Sequence, residues 1–137
     1  NYKVYIMSLP FILKLDTLTP NTIDYIHVNP ERYENWKTKL ALSRKFKVGI
    51  VCNGRLSSFI EKHIPMKLFS YLLNEVNIDL ICLHKKEDVE EKVTGIQYYD
   101  EIDSDEPFTD TVAIMKNVDL LLTVDTITVH IAGVQYQ

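Results

Sequence analysis

The chain has 137 residues, 46% hydrophobic and 25% charged, enough for one compact domain with sufficient apolar surface to offset chain entropy. That balance argues against disorder, and a formal net charge of −4 argues against a general nucleic-acid surface while leaving room for a local anion pocket. No apolar run approaches the roughly 20 residues of a membrane span, so no membrane segment is expected.

The first apolar run, residues 4–7, is closed by Ser8, Leu9 and Pro10 and reads as a strand end entering a turn. Residues 11–24, with Pro20 and Asn21, read as an irregular connection. Asn29, Pro30 and Glu31 form a helix start: an N-cap, a proline at the first position and an acid beside it. Tyr33, Trp36 and Leu40 recur at helical spacing, which predicts a helix from Pro30 to about Arg44. Residues 47–52 (KVGIVC) are the first buried parallel strand, followed by a polar loop over 53–63.

Pro65 opens a second helix with Leu68, Phe69, Leu72, Leu73 and Val76 on one face. Residues 78–83 (IDLICL) make a second strand, 87–92 a charged surface turn or short helix, and 96–99 a short third strand. The acidic stretch 100–106 (DEIDSDE) lacks the spaced ligands and glycine of a calcium loop and is expected to be solvated. Residues 109–117 predict a short helix, 119–124 (DLLLTV) a strand, and 125–133 (DTITVHIAG) the start of a last helix. The order β-α-β-(short)-β-α-β-α implies an α/β fold, a Rossmann-like parallel sheet with flanking helices. A doubly wound domain would continue beyond that last helix, so the C-terminal end is expected to be incomplete.

Cys52 and Cys82 both lie inside apolar runs and read as buried thiols. There is no CxxC and no Cys/His cluster, so no metal site is expected, and two isolated cysteines suit a reducing cytoplasm. The fingerprints GxGxxG, GxxxxGK[ST] and GxSxG are all absent.

In an open parallel sheet ligands bind beyond the carboxyl ends of the strands, which nominates the loops at 53–63, 84–87 and 125–128. Asp125, Thr126, Thr128 and His130 surround a strand-to-helix turn where backbone N–H groups and the helix dipole favour a phosphate. The plain alternative is an N-cap and a satisfied histidine. Lys62, Lys85, Lys86 and Arg55 can each offer a cation to a diphosphate or simply be solvated. Gly54 admits close approach of a ligand to the backbone, or merely makes a turn. Asp110 and Thr111 open a short helix, where an acid suits the dipole with no function attached.

Several of these segments together resemble glycosyltransferases of the heptosyltransferase type, and more closely the catalytic region joined to tetratricopeptide repeats in many bacterial proteins. The most specific matches are FTDT at 108–111 and VDTITVHIAG at 124–133, similar to the family's Val-Asp-Thr-(Ser/Gly)-x-x-His-Leu-Ala-Gly element. KVGIVCNG at 47–54 resembles the first donor strand and loop, KHIPMKL at 62–68 a basic-x-x-Pro element, and LHK at 83–85 a Leu-Gln-Lys element. MSLP at 7–10, DY at 24–25 and WKTKL at 36–40 resemble the connector before the donor domain.

The resemblance implies the C-terminal half of a GT-B fold, with residues 1–45 a connector and helix from a preceding domain. Residues 46–137 would form a nucleotide-sugar-binding domain, truncated at its end. It implies a nucleotide diphosphate-sugar as substrate, no cofactor and no metal, and a preceding Rossmann-like or tetratricopeptide domain as partner. Asp125, Thr126, Thr128 and His130 would line the diphosphate and sugar. Lys62 would offset charge on the leaving group, and Gly54, Lys85, Asp110 and Thr111 would lie near the donor. The catalytic base would lie outside this chain, and association through an open sheet edge is an expected possibility. Cys52 stands where the family has tryptophan, Lys86 where it has glycine, and Ile127 where it has a small residue. Ile127 and the truncation keep open a second reading, a non-catalytic Rossmann-like module for nucleotide binding or assembly.

Overall fold

A computed structural model describes residues 3–5, 8–14, 26–54, 63–75, 77–89 and 91–135. A short helix α1 (Leu9–Ile12) precedes α2 (Pro30–Leu40), which starts as its sequence dictates. The Asn29 side chain accepts from the N–H groups of Glu31 and Arg32 at 2.9 and 3.2 Å, and Pro30 gives up no bond at the first position. The helix ends at Leu40 rather than near Arg44. Beyond it, Ser43 Oγ accepts from Lys45 N at 3.1 Å and Lys47 Nζ donates to Ser43 O at 3.0 Å, which turns the chain into the sheet.

The sheet holds β1 (Phe46–Val51), β2 (Ile78–Cys82), β3 (Ile96–Gln97) and β4 (Leu120–Thr123) in the order β3-β2-β1-β4, all parallel. Flanked by helices, it is the α/β, Rossmann-like arrangement expected from the alternation of elements. Successive residues of a strand face opposite sides, and two separate cores result. One joins Val51, Ile81 and Leu83 to Trp36 and Leu40 of α2, to α3 (Thr109–Met115) and to Ile131 of α4 (Ile127–Gln135). The other joins Val48, Ile50, Cys52, Leu80, Cys82 and Ile96 to Met66, Phe69, Leu72 and Leu73. Gly49 is small for a reason: a Cβ there would lie 3.0 Å from Leu83 Cδ1 and 3.3 Å from Leu121 Cδ1.

The segment after Pro65 is a 3-10 helix over Met66–Asn74, not the α-helix that apolar spacing predicted. Its bonds run from residue i to i−3, as in Leu68 N to Pro65 O at 2.9 Å and Glu75 N to Leu72 O at 3.1 Å. With three residues per turn, Met66, Phe69 and Leu72 fall in one row against the sheet, while Leu68, expected on that face, is left 47% exposed. Val76 lies outside the described residues. Gly95 then turns the chain into β3 with φ at +93° and its Cα side against Leu73, where a Cβ would stand 2.8 Å from Leu73 Cδ1. Gly95→Ala is expected to cost about 1–2 kcal/mol of unfolding free energy, checked by urea denaturation.

The acidic stretch 100–106 is not wholly solvated: Ile102 and Asp103 are buried. The formal cap position of α3, Phe108, is left-handed (φ 64°) and offers no side-chain cap. Asp103 supplies one instead from five residues earlier, its Oδ1 accepting from Asp110 N at 2.8 Å and Thr111 N at 3.1 Å. In return Asp103 N donates to Asp110 Oδ2 at 3.0 Å. The two aspartates thus act as a capping box closed through the loop, and α3, buried from Asp110 to Met115, is locked between the sheet and α2.

Candidate functional site

Parallel pairing places the ends of β1, β2 and β4 along one edge, and the chain leaves β1 for β2 on one side while β4 returns on the other. The crevice between β1 and β4 is therefore the switch point of the sheet. Val124 N donates to Val51 O at 3.1 Å, which carries the pairing of β1 and β4 to the edge of that crevice. The loop after β1 is pinned at its base by an antiparallel bridge between Asn53 and His63 and by Ile64 N to Cys52 O at 2.8 Å.

The turn into α4 lies beside β1. Ile127, the bulky residue that threatened to plug it, points outward and is 51% exposed. Asp125 and His130 are exposed, Thr126 is half-buried and Thr128 is buried. The threonine hydroxyls, expected to face an anion, face one another. Thr126 Oγ1 and Thr128 Oγ1 are 2.6 Å apart, and Thr128 Oγ1 lies 2.7 Å from Thr123 Oγ1, which donates to Val124 O at 2.8 Å. Each hydroxyl has one hydrogen. Thr123 spends its own on Val124 O, so Thr128 donates to Thr123 and Thr126 to Thr128. No hydroxyl hydrogen then remains for a phosphate, and the turn's capacity for an anion rests on the backbone N–H groups that a helix start leaves without intrahelical partners.

The other predicted residues are dispersed. Gly54 and Lys85 are half-buried, each three residues beyond the end of its strand, β1 and β2 respectively. Lys86 is exposed and paired with Asp100 at 2.8 Å, which lowers the Asp100 carboxyl below its ordinary range. Lys62 and Arg55 lie outside the described residues. Asp110 and Thr111 are buried, and their polar groups are engaged inside the protein. The Asp110 carboxylate accepts from Trp36 Nε1 at 2.7 Å, from Arg32 Nη1 at 2.9 Å and from Asp103 N, while Thr111 Oγ1 donates to Asp103 Oδ2 at 2.6 Å.

His84 was not singled out by sequence. Its Nε2 accepts from the backbone N–H of Cys52 at 2.9 Å and lies 3.4 Å from Cys52 Sγ. Desolvation lowers the imidazole pKa, partly offset by nearby Asp88, and His63 lowers it further. Both the acceptor role and the burial hold the ring neutral with its proton on Nδ1. The signal was present in the strand register: Ile50 pairs with Cys82, so two residues further Cys52 meets His84. The two line a cleft of about 190 Å³ with Asn53, His63, Met66 and Asp88.

Among the described residues no three histidine, cysteine or acidic side chains gather to hold a metal, and no helix is long and apolar enough to cross a membrane. No protein-family model, curated protein or solved structure matches this chain.

Proposed function

We propose that this chain is the donor half of a glycosyltransferase, binding the diphosphate of a nucleotide-sugar at the turn between β4 and α4. One observation supports this reading above others: the turn stands at the switch point of a parallel sheet with Ile127 directed outward instead of into the turn. Backbone N–H groups at the start of α4 would take the phosphate oxygens, and exposed His130, one turn along, would add a donor. As the bond to the sugar breaks, negative charge grows on the departing phosphate, and fixed dipoles aimed at it lower the barrier without reorganisation. Lys62 and Lys85 are the cations proposed to share that charge. The acceptor site and base belong to a partner domain in this reading.

The threonine hydrogen-bond ring favours the second reading, a nucleotide-binding or assembly module without catalysis, because it removes the side-chain donors from the anion site. Calorimetric titration with UDP, GDP and ADP tests both. A donor domain is expected to bind one of the three, and Thr126→Asp, which sets a carboxylate at the helix start against the phosphate, is expected to weaken binding at least about tenfold. Heat from none of the three nucleotides in folded protein overturns nucleotide binding altogether. Binding that Thr126→Asp leaves unchanged overturns the assignment to this turn.

A further inference from the structure

Away from the turn into α4, the cleft at the ends of β1 and β2 brings together a thiol and an imidazole. We propose that Cys52 is a reactive thiol, with His84 as its proton acceptor, and that the cleft takes small soft electrophiles such as alkyl halides or α,β-unsaturated carbonyls.

Three features of the site carry this. The bond from Cys52 N fixes His84 with Nε2 as an acceptor, and that same unprotonated nitrogen lies 3.4 Å from Sγ. Both residues line a cleft of about 190 Å³, from which a small reagent would reach Cys52, itself 4% exposed. The second thiol lacks every part of this arrangement. Cys82 is 1% exposed, does not line the cleft, and burial pushes its pKa up to about 11. One sheet face therefore holds a thiol with a base and an opening, and another with neither.

The chemistry balances with these groups alone. The Cys52 proton passes from Sγ to His84 Nε2, whose single lone pair gives up the Cys52 N–H in exchange, as Sγ attacks carbon and an S–C bond forms. With an alkyl halide the carbon–halogen pair leaves as halide. With an enone the electron pair moves onto the carbonyl oxygen, and the enolate recovers the proton from His84. His63, Lys67, Asp88 and Glu91 are the other titratable groups lining the cleft.

The test is alkylation of the intact protein by iodoacetamide near pH 7.5, with each cysteine followed separately by peptide mass spectrometry. Cys52 is expected to react at least about tenfold faster than Cys82, which has neither the neighbouring imidazole nor a place in the cleft lining. His84→Gln keeps a side-chain acceptor for the Cys52 amide but removes the base. It is expected to slow Cys52 about tenfold or more while leaving Cys82 unchanged. A histidine that served only as a brace would leave the Cys52 rate at the wild-type value, because glutamine keeps the bond to the Cys52 amide. That outcome, or equal rates for the two thiols in wild type, overturns the proposal. Because the readout is mass on a named cysteine, it stands or falls independently of nucleotide binding.

Discussion

Asp110→Ala is expected to lower the unfolding free energy by about 3 kcal/mol, read from the midpoint of urea denaturation followed by circular dichroism. The carboxylate is the acceptor for the Trp36 indole N–H and the Asp103 amide as well as for Arg32. Trp36 and Asp103 are buried, at 1% and 4% exposure, so water does not replace the lost acceptor. Each buried donor left without a partner costs about 1–3 kcal/mol. Arg32 keeps its second partner, Asp105, and is expected to contribute less to the loss. Asp110→Asn retains one carbonyl oxygen and is expected to fall between wild type and alanine. A loss below about 1 kcal/mol for alanine would mean that the donors reach water and that the network is not buried in solution.

Trp36→Ala is expected to be the more damaging change, at about 3–5 kcal/mol, because it empties the largest buried side chain of the core that α2 shares with α3 and the sheet. The indole also stands edge-on to Tyr99, with centroids 5.2 Å apart and planes at 87°, and Lys39 Nζ lies 4.5 Å from its centre. Trp36→Phe keeps part of the apolar contact but loses the hydrogen bond to Asp110, so its loss is expected to fall between wild type and alanine. Trp36 and Asp110 share this contact, so the double variant is expected to cost less than the sum of the singles by at least about 0.5 kcal/mol. Strict additivity would contradict the pairing. Trp36 is the only tryptophan, so intrinsic fluorescence of the Asp110 variants reports on this same spot. The experiment also measures how far the fold of the sheet depends on a residue that precedes its first strand.

The sheet was legible because its strands are short apolar runs set between polar loops. FKVGIV, IDLIC and LLLT carry that pattern within their own residues, and Asn29–Pro30 carries the start of α2 in the same local way. The 3-10 form of Met66–Asn74 was not legible, because apolar residues three and four apart suit either helix and packing on the sheet chooses between them. Nor was the burial of Asp103, whose charged neighbours in DEIDSDE all suggest solvent. Only its bonds to Asp110 and Thr111 make the buried position tolerable.

At the candidate site the sequence determined which residue types stand at the ends of the strands: Cys52, His84, and the threonines around the start of α4. It did so because the strand pattern alone fixes where each run stops. Tertiary structure decided what those residues face. Parallel register laid Cys52 against His84, 32 positions away, and the closing of the β4–α4 turn set three hydroxyls to satisfy one another. Hydrogen bonds act over about 3 Å, so partners distant along the chain are chosen by the register of the sheet and not by local spacing.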